Sequence, residues 1–131
     1  MPESSSFFEA GRGPFRDVSI LDTERKGEMP MEINASKRGP RLHVKLSGEL
    51  DHHSAEQTRN MLDTMLKDIT VRDLTLDLSG VSFMDSAGLG VILGRYRILS
   101  MRGGHLTVTG MSGAIDKIFR MSGIYAIVDR Q

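Results

Sequence analysis

Leu42, Val44 and Leu46 alternate with His43, Lys45 and Ser47, the two-residue period of a strand that buries one face. Ile33 and Ala35 alternate in a shorter run upstream, and Lys37-Arg38-Gly39-Pro40 between the runs reads as a turn, so an antiparallel pair opens the folded unit. Gly48 is expected to end the second strand, with Glu49-Leu50-Asp51-His52-His53 as the connection. The period then lengthens. Met61, Leu62, Met65, Leu66 and Ile69 recur at spacings of three and four, predicting a helix capped by Ser54 or a neighbour and running to about Lys67. Leu74, Leu76 and Leu78 return to strand alternation, and Ser79 to Asp85 carries the chain to Ser86. A second helix is expected from about Ala87 to Met101, with Leu89, Ile92, Leu93, Tyr96 and Leu99 near one face and Gly103–Gly104 as its stop. Leu106 and Val108 mark a strand from His105 to Thr109. A shorter helix spans roughly Ala114 to Met121, closed by Ser122–Gly123, and Ile127–Val128 begins a last strand.

The order ββαβαβαβ implies an α/β fold: strand–helix–strand units give parallel pairings with right-handed crossovers, so helices pack on a mixed, mostly parallel sheet. Functional residues of such sheets gather where strands end and helices begin. Asp51 and Ser86 follow the second and third strands and are therefore expected to be near neighbours. Residues 1 to about 30, with the Ser4–Ser6 run, Gly11, Gly13, Pro14 and mixed charges from Asp17 to Glu28, offer too little apolar surface to offset their ordering entropy. They are expected to form a disordered extension ahead of a domain over residues 31–131. Met29 and Met31 are each a natural start for the folded unit.

Composition narrows the function classes. Lys plus Arg and Asp plus Glu number 17 each, so the positive surplus typical of nucleic-acid-binding domains is missing. There are no cysteines, which removes disulfides, thiolate chemistry and Cys-based zinc sites and is compatible with a reducing compartment. Met1 to Ala10 has no basic segment and only Phe7–Phe8 as an apolar pair, unlike a secretory signal, and no apolar run approaches the roughly 18–20 residues of a membrane span. A soluble, cytoplasmic chain is expected.

The segment Phe83-Met84-Asp85-Ser86-Ala87-Gly88-Leu89-Gly90-Val91-Ile92-Leu93-Gly94-Arg95-Tyr96 carries the strongest chemical signal. A hydroxyl at a strand-to-helix junction sits over the unpaired N–H groups of the first helical turn. Gly88 and Gly90 each lower helix propensity by about 1 kcal/mol relative to Ala, so they ask for a reason. Either a partner's backbone approaches closely there, or Ser86 is an ordinary N-cap and the glycines allow tight packing on the sheet. Arg95, Arg97 and Arg102 on or just beyond this helix are either a solvated face or a rim for an acidic partner. Met61 and Met65 read as core, whereas Met84 and Met101 suit core or interface.

Other signals lead nowhere. Asp51-His52-His53 spells the motif of a manganese phosphoesterase family, but the other carboxylate ligands are not at recognisable spacing, so no metal is expected. His43 and His105 fall in strand-like runs and read as surface residues. Met84-Asp85-Ser86-Ala87-Gly88 is not the Gly-x-Ser-x-Gly of a nucleophile elbow, and Gly88-Leu89-Gly90 lacks the third glycine of a dinucleotide fingerprint. Neither a catalytic set nor a cofactor is expected, and the chain is not read as an enzyme.

Phe83 to Tyr96, Leu46-Ser47-Gly48-Glu49-Leu50-Asp51-His52-His53 and Phe119-Arg120-Met121-Ser122-Gly123 resemble the anti-sigma factor antagonists of the STAS-domain family, and the likeness extends over about Met31 to Val128. The resemblance implies that Ser86 is a phosphoacceptor and that the partner is an anti-sigma factor serine kinase carrying ADP or ATP. The unphosphorylated form would bind this kinase and free its sigma factor. Phosphorylation would end binding, and a serine phosphatase would reset the switch, with sporulation as the implied setting. Asp51 matches a family position implicated in the interaction, and Asp85, Ala87, Gly88, Leu89 and Gly90 complete the expected partner-binding surface. No nucleic acid, membrane or metal enters this reading, and the free form is expected to be a monomer. Ala87 stands where relatives often have a second Ser, leaving Ser86 as acceptor. Family members usually continue into a final helix, which is expected to be missing after Gln131. The alternative is a STAS module acting as a ligand (nucleotide) sensor or scaffold.

A phosphoserine adds about −1.5 to −2 charges and three acceptor oxygens. At a helix N-terminus the dipole and free N–H groups would favour it, whereas beside Asp51 and Asp85 in a snug interface it would repel. One modification is thus expected to spare folding and remove binding.

Overall fold

The hairpin expected from the first two alternating runs is formed by β1 (Met31–Arg38) and β2 (Arg41–Leu50) in a computed structural model that describes residues 31–131. The expected N-terminal extension lies outside the described residues. The two-residue loop has Gly39 at φ 59°, suiting a II′ turn with glycine at its first central position. Pro40 follows where its missing N–H costs no ladder bond.

From β2 the chain passes through α1 (Ala55–Leu66), β3 (Asp73–Met84), α2 (Ser86–Met101), β4 (His105–Thr109), α3 (Gly113–Ser122), a 3-10 turn (Ile124–Ala126) and β5 (Asp129–Arg130). The strands lie in sequence order in one five-stranded sheet, antiparallel between β1 and β2 and parallel at the other three pairings. This is the mixed, mostly parallel α/β sheet expected from the element order.

Strand alternation sorts the residues between two faces. Ile33, Val44, Leu46, Leu74, Leu76, Leu106 and Val108 are buried on one face, where the helices bring Leu62, Met65, Ile92, Leu99, Ile115 and Phe119. Each such side chain contributes about 1.5–3 kcal/mol on leaving water, so this single layer of helices fixes the sheet. On the other face Glu32, Asn34, Ser36, Arg38, Arg41, His43 and Lys45 are exposed, with Thr75 and Asp77 half-buried.

Several boundaries depart from the sequence reading. The second strand runs past Gly48 to Leu50, and β3 continues through the expected connection to Met84. Register shifts between Lys45 and Ser47 and between Gly48 and Glu49 let the two strands stay paired to Leu50↔Met84. Ile69 lies beyond α1 and is 77% exposed, so it is no part of that helix's apolar face. The last strand begins at Asp129, because Ile124–Ala126 winds into a 3-10 turn and Val128 packs into the core. Met84 is buried and Met101 exposed, which divides the two methionines flanking α2.

Two of the three arginines read as surface or rim residues serve the fold instead. Arg95 is buried, with Nε 3.0 Å from Asp63 Oδ1 across the α1–α2 contact, an ion pair by distance without hydrogen-bond alignment. Burial pulls its guanidinium below the usual value, and the Asp63 charge opposes that. Arg102 donates to the carbonyl oxygens of Leu66, Asp68 and Val71, satisfying backbone acceptors at and beyond the end of α1. Arg97 alone of the three is exposed.

Candidate functional site

β2 and β3 run parallel and finish side by side, Leu50 in register with Met84. The next residue of each is an aspartate, and both do the same work on the backbone that follows. Asp51 Oδ1 accepts the N–H of His53 at 2.9 Å and of Ser54 at 3.2 Å. Asp85 Oδ1 accepts the N–H of Ala87 at 2.9 Å and of Gly88 at 3.2 Å. Each carboxylate thus supplies the acceptor that a turn or helix start lacks, at the i+2 and i+3 positions.

Ser54 stands at the N-cap of α1 as expected, whereas the reading of Ser86 as an ordinary N-cap is not the one found. Asp85, extended at φ −120°, is the N-cap of α2, and Ser86 is the first helical residue. Ser54 precedes α1, but its hydroxyl makes no cap bond; it donates to Glu49 O at 2.6 Å and accepts from Asp51 N–H at 3.2 Å. The first-turn N–H groups of Ala87 and Gly88 are therefore taken by Asp85 and are not free to hold an anion on Ser86.

The two helix starts are stitched together. Asp85 Oδ2 accepts His52 N–H at 3.2 Å and lies 3.7 Å from His52 Nδ1, and Asp85 N–H donates to Leu50 O at 3.4 Å. Burial alone would push the Asp85 carboxyl up, but hydrogen bonds from the Gly88, His52 and Ala87 N–H groups together carry it below the usual carboxylate range. Asp85 thus stays an anion one residue before Ser86.

The expected site residues divide by exposure. Ser86 is exposed, with no hydrogen bond to its hydroxyl among the described residues, and Gly90 is exposed one turn on. Asp51, Asp85, Ala87 and Leu89 are half-buried, Leu89 leaning on the core. Gly88 is buried, and a Cβ there would collide with Leu50 O and come within 2.8 Å of Met84 Cγ. Its lack of a side chain is therefore used inside the domain, which corrects its place on the expected partner surface. At Gly90 a Cβ would meet nothing within 4 Å, so packing does not explain that glycine.

Two residues had no place in the expected partner surface. Leu93, expected near one face with Leu89, Ile92, Tyr96 and Leu99, is 38% exposed, and Ser86, Gly90, Leu93 and Arg97 fall at three- and four-residue spacing along the outward side of the helix. Phe83, one residue before the end of β3, is 49% exposed. Its exposure follows from strand alternation, since Met84 one position on is buried and the two point opposite ways.

Among the described residues no three His, Cys, Asp or Glu side chains gather as metal ligands, and no helix is long and apolar enough to cross a membrane.

Residues 32–130 match the family model described as STAS domain. An "Anti-sigma F factor antagonist" of Paenibacillus polymyxa is 36% identical over 100 residues, covering 76% of this chain and 86% of that protein. An "Anti-sigma-B factor antagonist" of Staphylococcus aureus is 32% identical over 96 residues, covering 73% of this chain and 88% of that protein. Among solved structures, the anti-sigma factor antagonist SpoIIAA in its unphosphorylated form superposes with a TM-score of 0.62 at 28% identity, covering 76% of this chain and 86% of that one. The Bacillus cell fate determinant SpoIIAA in the phosphorylated form gives 0.61 at 30% identity, covering 76% and 90%.

Proposed function

The chain belongs to the STAS domain family and is a relative of the anti-sigma factor antagonists, and from that premise we propose that it binds an anti-sigma factor serine kinase, releasing a sigma factor, until phosphorylation of Ser86 ends the contact. The kinase carries ADP or ATP, and a serine phosphatase restores the binding form. One observation carries the reading: Ser86 is the exposed first residue of α2, directly after the carboxylate that caps the helix and at the strand end next to Asp51. That a related solved protein exists in both phosphorylated and unphosphorylated forms supports it.

The geometry alters the physical account of the switch. A phosphate on Ser86 spares the fold because the side chain is exposed and can turn to solvent, not because helix N–H groups await it. It abolishes binding because about two negative charges are added beside Asp85 and near Asp51, inside a contact that excludes water. A penalty of a few kcal/mol suffices, since every 1.4 kcal/mol weakens binding about tenfold. The partner surface is the outward stripe of Ser86, Gly90, Leu93 and Arg97 with Phe83, rimmed by Asp51 and Asp85. Gly90 allows close backbone approach, and Phe83 and Leu93 supply apolar area.

The test is incubation with the cognate kinase and ATP followed by intact-mass measurement. Wild type gains one phosphate and Ser86→Ala gains none. Phosphorylation of Ser86→Ala would move the acceptor elsewhere, and absence of both binding and modification of the wild type would end the antagonist reading.

A further inference from the structure

We propose that the end of the sheet remote from Ser86, where the β1–β2 hairpin meets β3, binds a phosphate ester. A cavity of about 560 Å³ opens there, lined by Ser36, Arg38, Arg41, Leu42, His43 and Thr75 with the Pro40 ring at its edge. Arg41 and Leu50 stand at opposite ends of the ten-residue β2, so the cavity lies roughly 30 Å from the Ser86 end at about 3.3 Å per residue.

The cavity is built around an unfavourable arrangement. Arg38 and Arg41 are register partners across the hairpin, both exposed. Like charges directly opposite on adjacent strands destabilise a sheet. No carboxylate among the described residues forms an ion pair with either guanidinium. Asp73 is in register with Arg41 on β3, but its Oδ1 accepts the His105 N–H at 3.1 Å. An arriving anion would relieve the repulsion, so the pair makes sense as half of a site.

The neighbours complete it. Ser36 is paired with His43, and His43 with Thr75, which sets hydroxyl, imidazole and hydroxyl in a row beside the guanidinium pair. Guanidinium forks match the oxygens of a phosphate, and hydroxyl and imidazole donors suit its remaining oxygens. The frame is fixed in advance: Pro40 O accepts the N–H groups of Arg72 at 2.9 Å and Asp73 at 3.1 Å, tying the hairpin tip to the start of β3. The volume falls within the roughly 300–1,000 Å³ of small-molecule sites and exceeds what a bare phosphate fills. The exposed Pro40 offers apolar contact to an organic body.

The experiment is an amide NMR titration of the full chain at fixed ionic strength, with inorganic phosphate, glycerol phosphate and chloride as separate titrants. Saturable shifts confined to residues 36–43 and Thr75 are expected with glycerol phosphate and not with chloride. Saturation by inorganic phosphate at equal affinity would identify the free ion as the source, and tighter binding of the ester an organic phosphate. Arg38→Gln and Arg41→Gln should each weaken binding about tenfold or more while keeping wild-type amide dispersion. Each should also raise Tm in phosphate-free buffer, which a merely structural role for these arginines would not produce. Shifts that chloride produces equally, that survive both substitutions, or that appear at residues 85–88 instead would overturn the proposal.

Discussion

The β2–α1 and β3–α2 junctions use one device and leave two different serines behind. Each strand ends in an aspartate whose Oδ1 takes the backbone N–H groups two and three residues on. After Asp51 the hydroxyl of Ser54 turns inward, fully buried, and bonds Glu49 O and Asp51 N–H. After Asp85 the side chain of Ser86 points outward. The aspartates carry the structural duty at both junctions, and that leaves the second serine available for chemistry. The same split recurs between Gly88, whose missing Cβ lets α2 sit on β2, and Gly90, whose missing Cβ faces open space.

Identical substitutions at the paired positions should therefore give different results. Gly88→Ala forces a methyl into Leu50 O and Met84 and is expected to cost about 3 kcal/mol, the upper end of overpacking, read as a lower urea midpoint. Gly90→Ala should stabilise by up to about 1 kcal/mol, as Gly-to-Ala exchange in an exposed helix does, while weakening kinase binding. Equal destabilisation by both would remove the distinction between a packing glycine and a surface one.

Ser54→Ala removes two part-buried hydrogen bonds, to the Glu49 carbonyl and from the Asp51 N–H, and should cost about 2 kcal/mol. Ser86→Ala should stay within about 0.5 kcal/mol of wild type, as surface changes do. Thermal melts of the two variants side by side decide this.

A smaller effect lies in the pH dependence of the Asp85 cap. Its carboxyl is held below the usual range in the folded state. The stabilisation is therefore present above the unfolded value near pH 4 and fades as pH falls through the lower folded value. Asp85→Ala should lose about 1 kcal/mol of capping at neutral pH. Its Tm should then approach that of the wild type as pH drops below about 4. A deficit that stayed constant with pH would mean that the charged carboxylate is not what caps α2.

Much of this was legible in the sequence. Leu42-Val44-Leu46, Leu74-Leu76-Leu78 and the three-and-four spacing of Met61 to Leu66 are periodic over enough residues to set the sheet, the helices and their order. The order in turn brings Asp51 and Asp85 to one edge. What was not legible depended on which of two equally suitable neighbours does a job. Asp85 and Ser86 are both good N-caps, and composition cannot choose between them. Ser79-Gly80 reads as a break, yet β3 runs through it, because a register shift accommodates the close pass of Gly80 over Ser47. Arg95 and Arg102 carry charge and were read outward, although an ion pair across two helices and a set of open carbonyls keep them in the fold.

The most direct measurement compares the cognate kinase's affinity for unphosphorylated chain and for chain fully phosphorylated at Ser86, with Tm recorded on the same two samples. The account predicts that affinity falls by about a hundredfold or more, a few kcal/mol of repulsion and desolvation, while Tm stays essentially unchanged. Undiminished affinity of the phosphorylated chain, or a loss of binding accompanied by unfolding, would contradict the claim that one exposed serine switches binding without touching the fold.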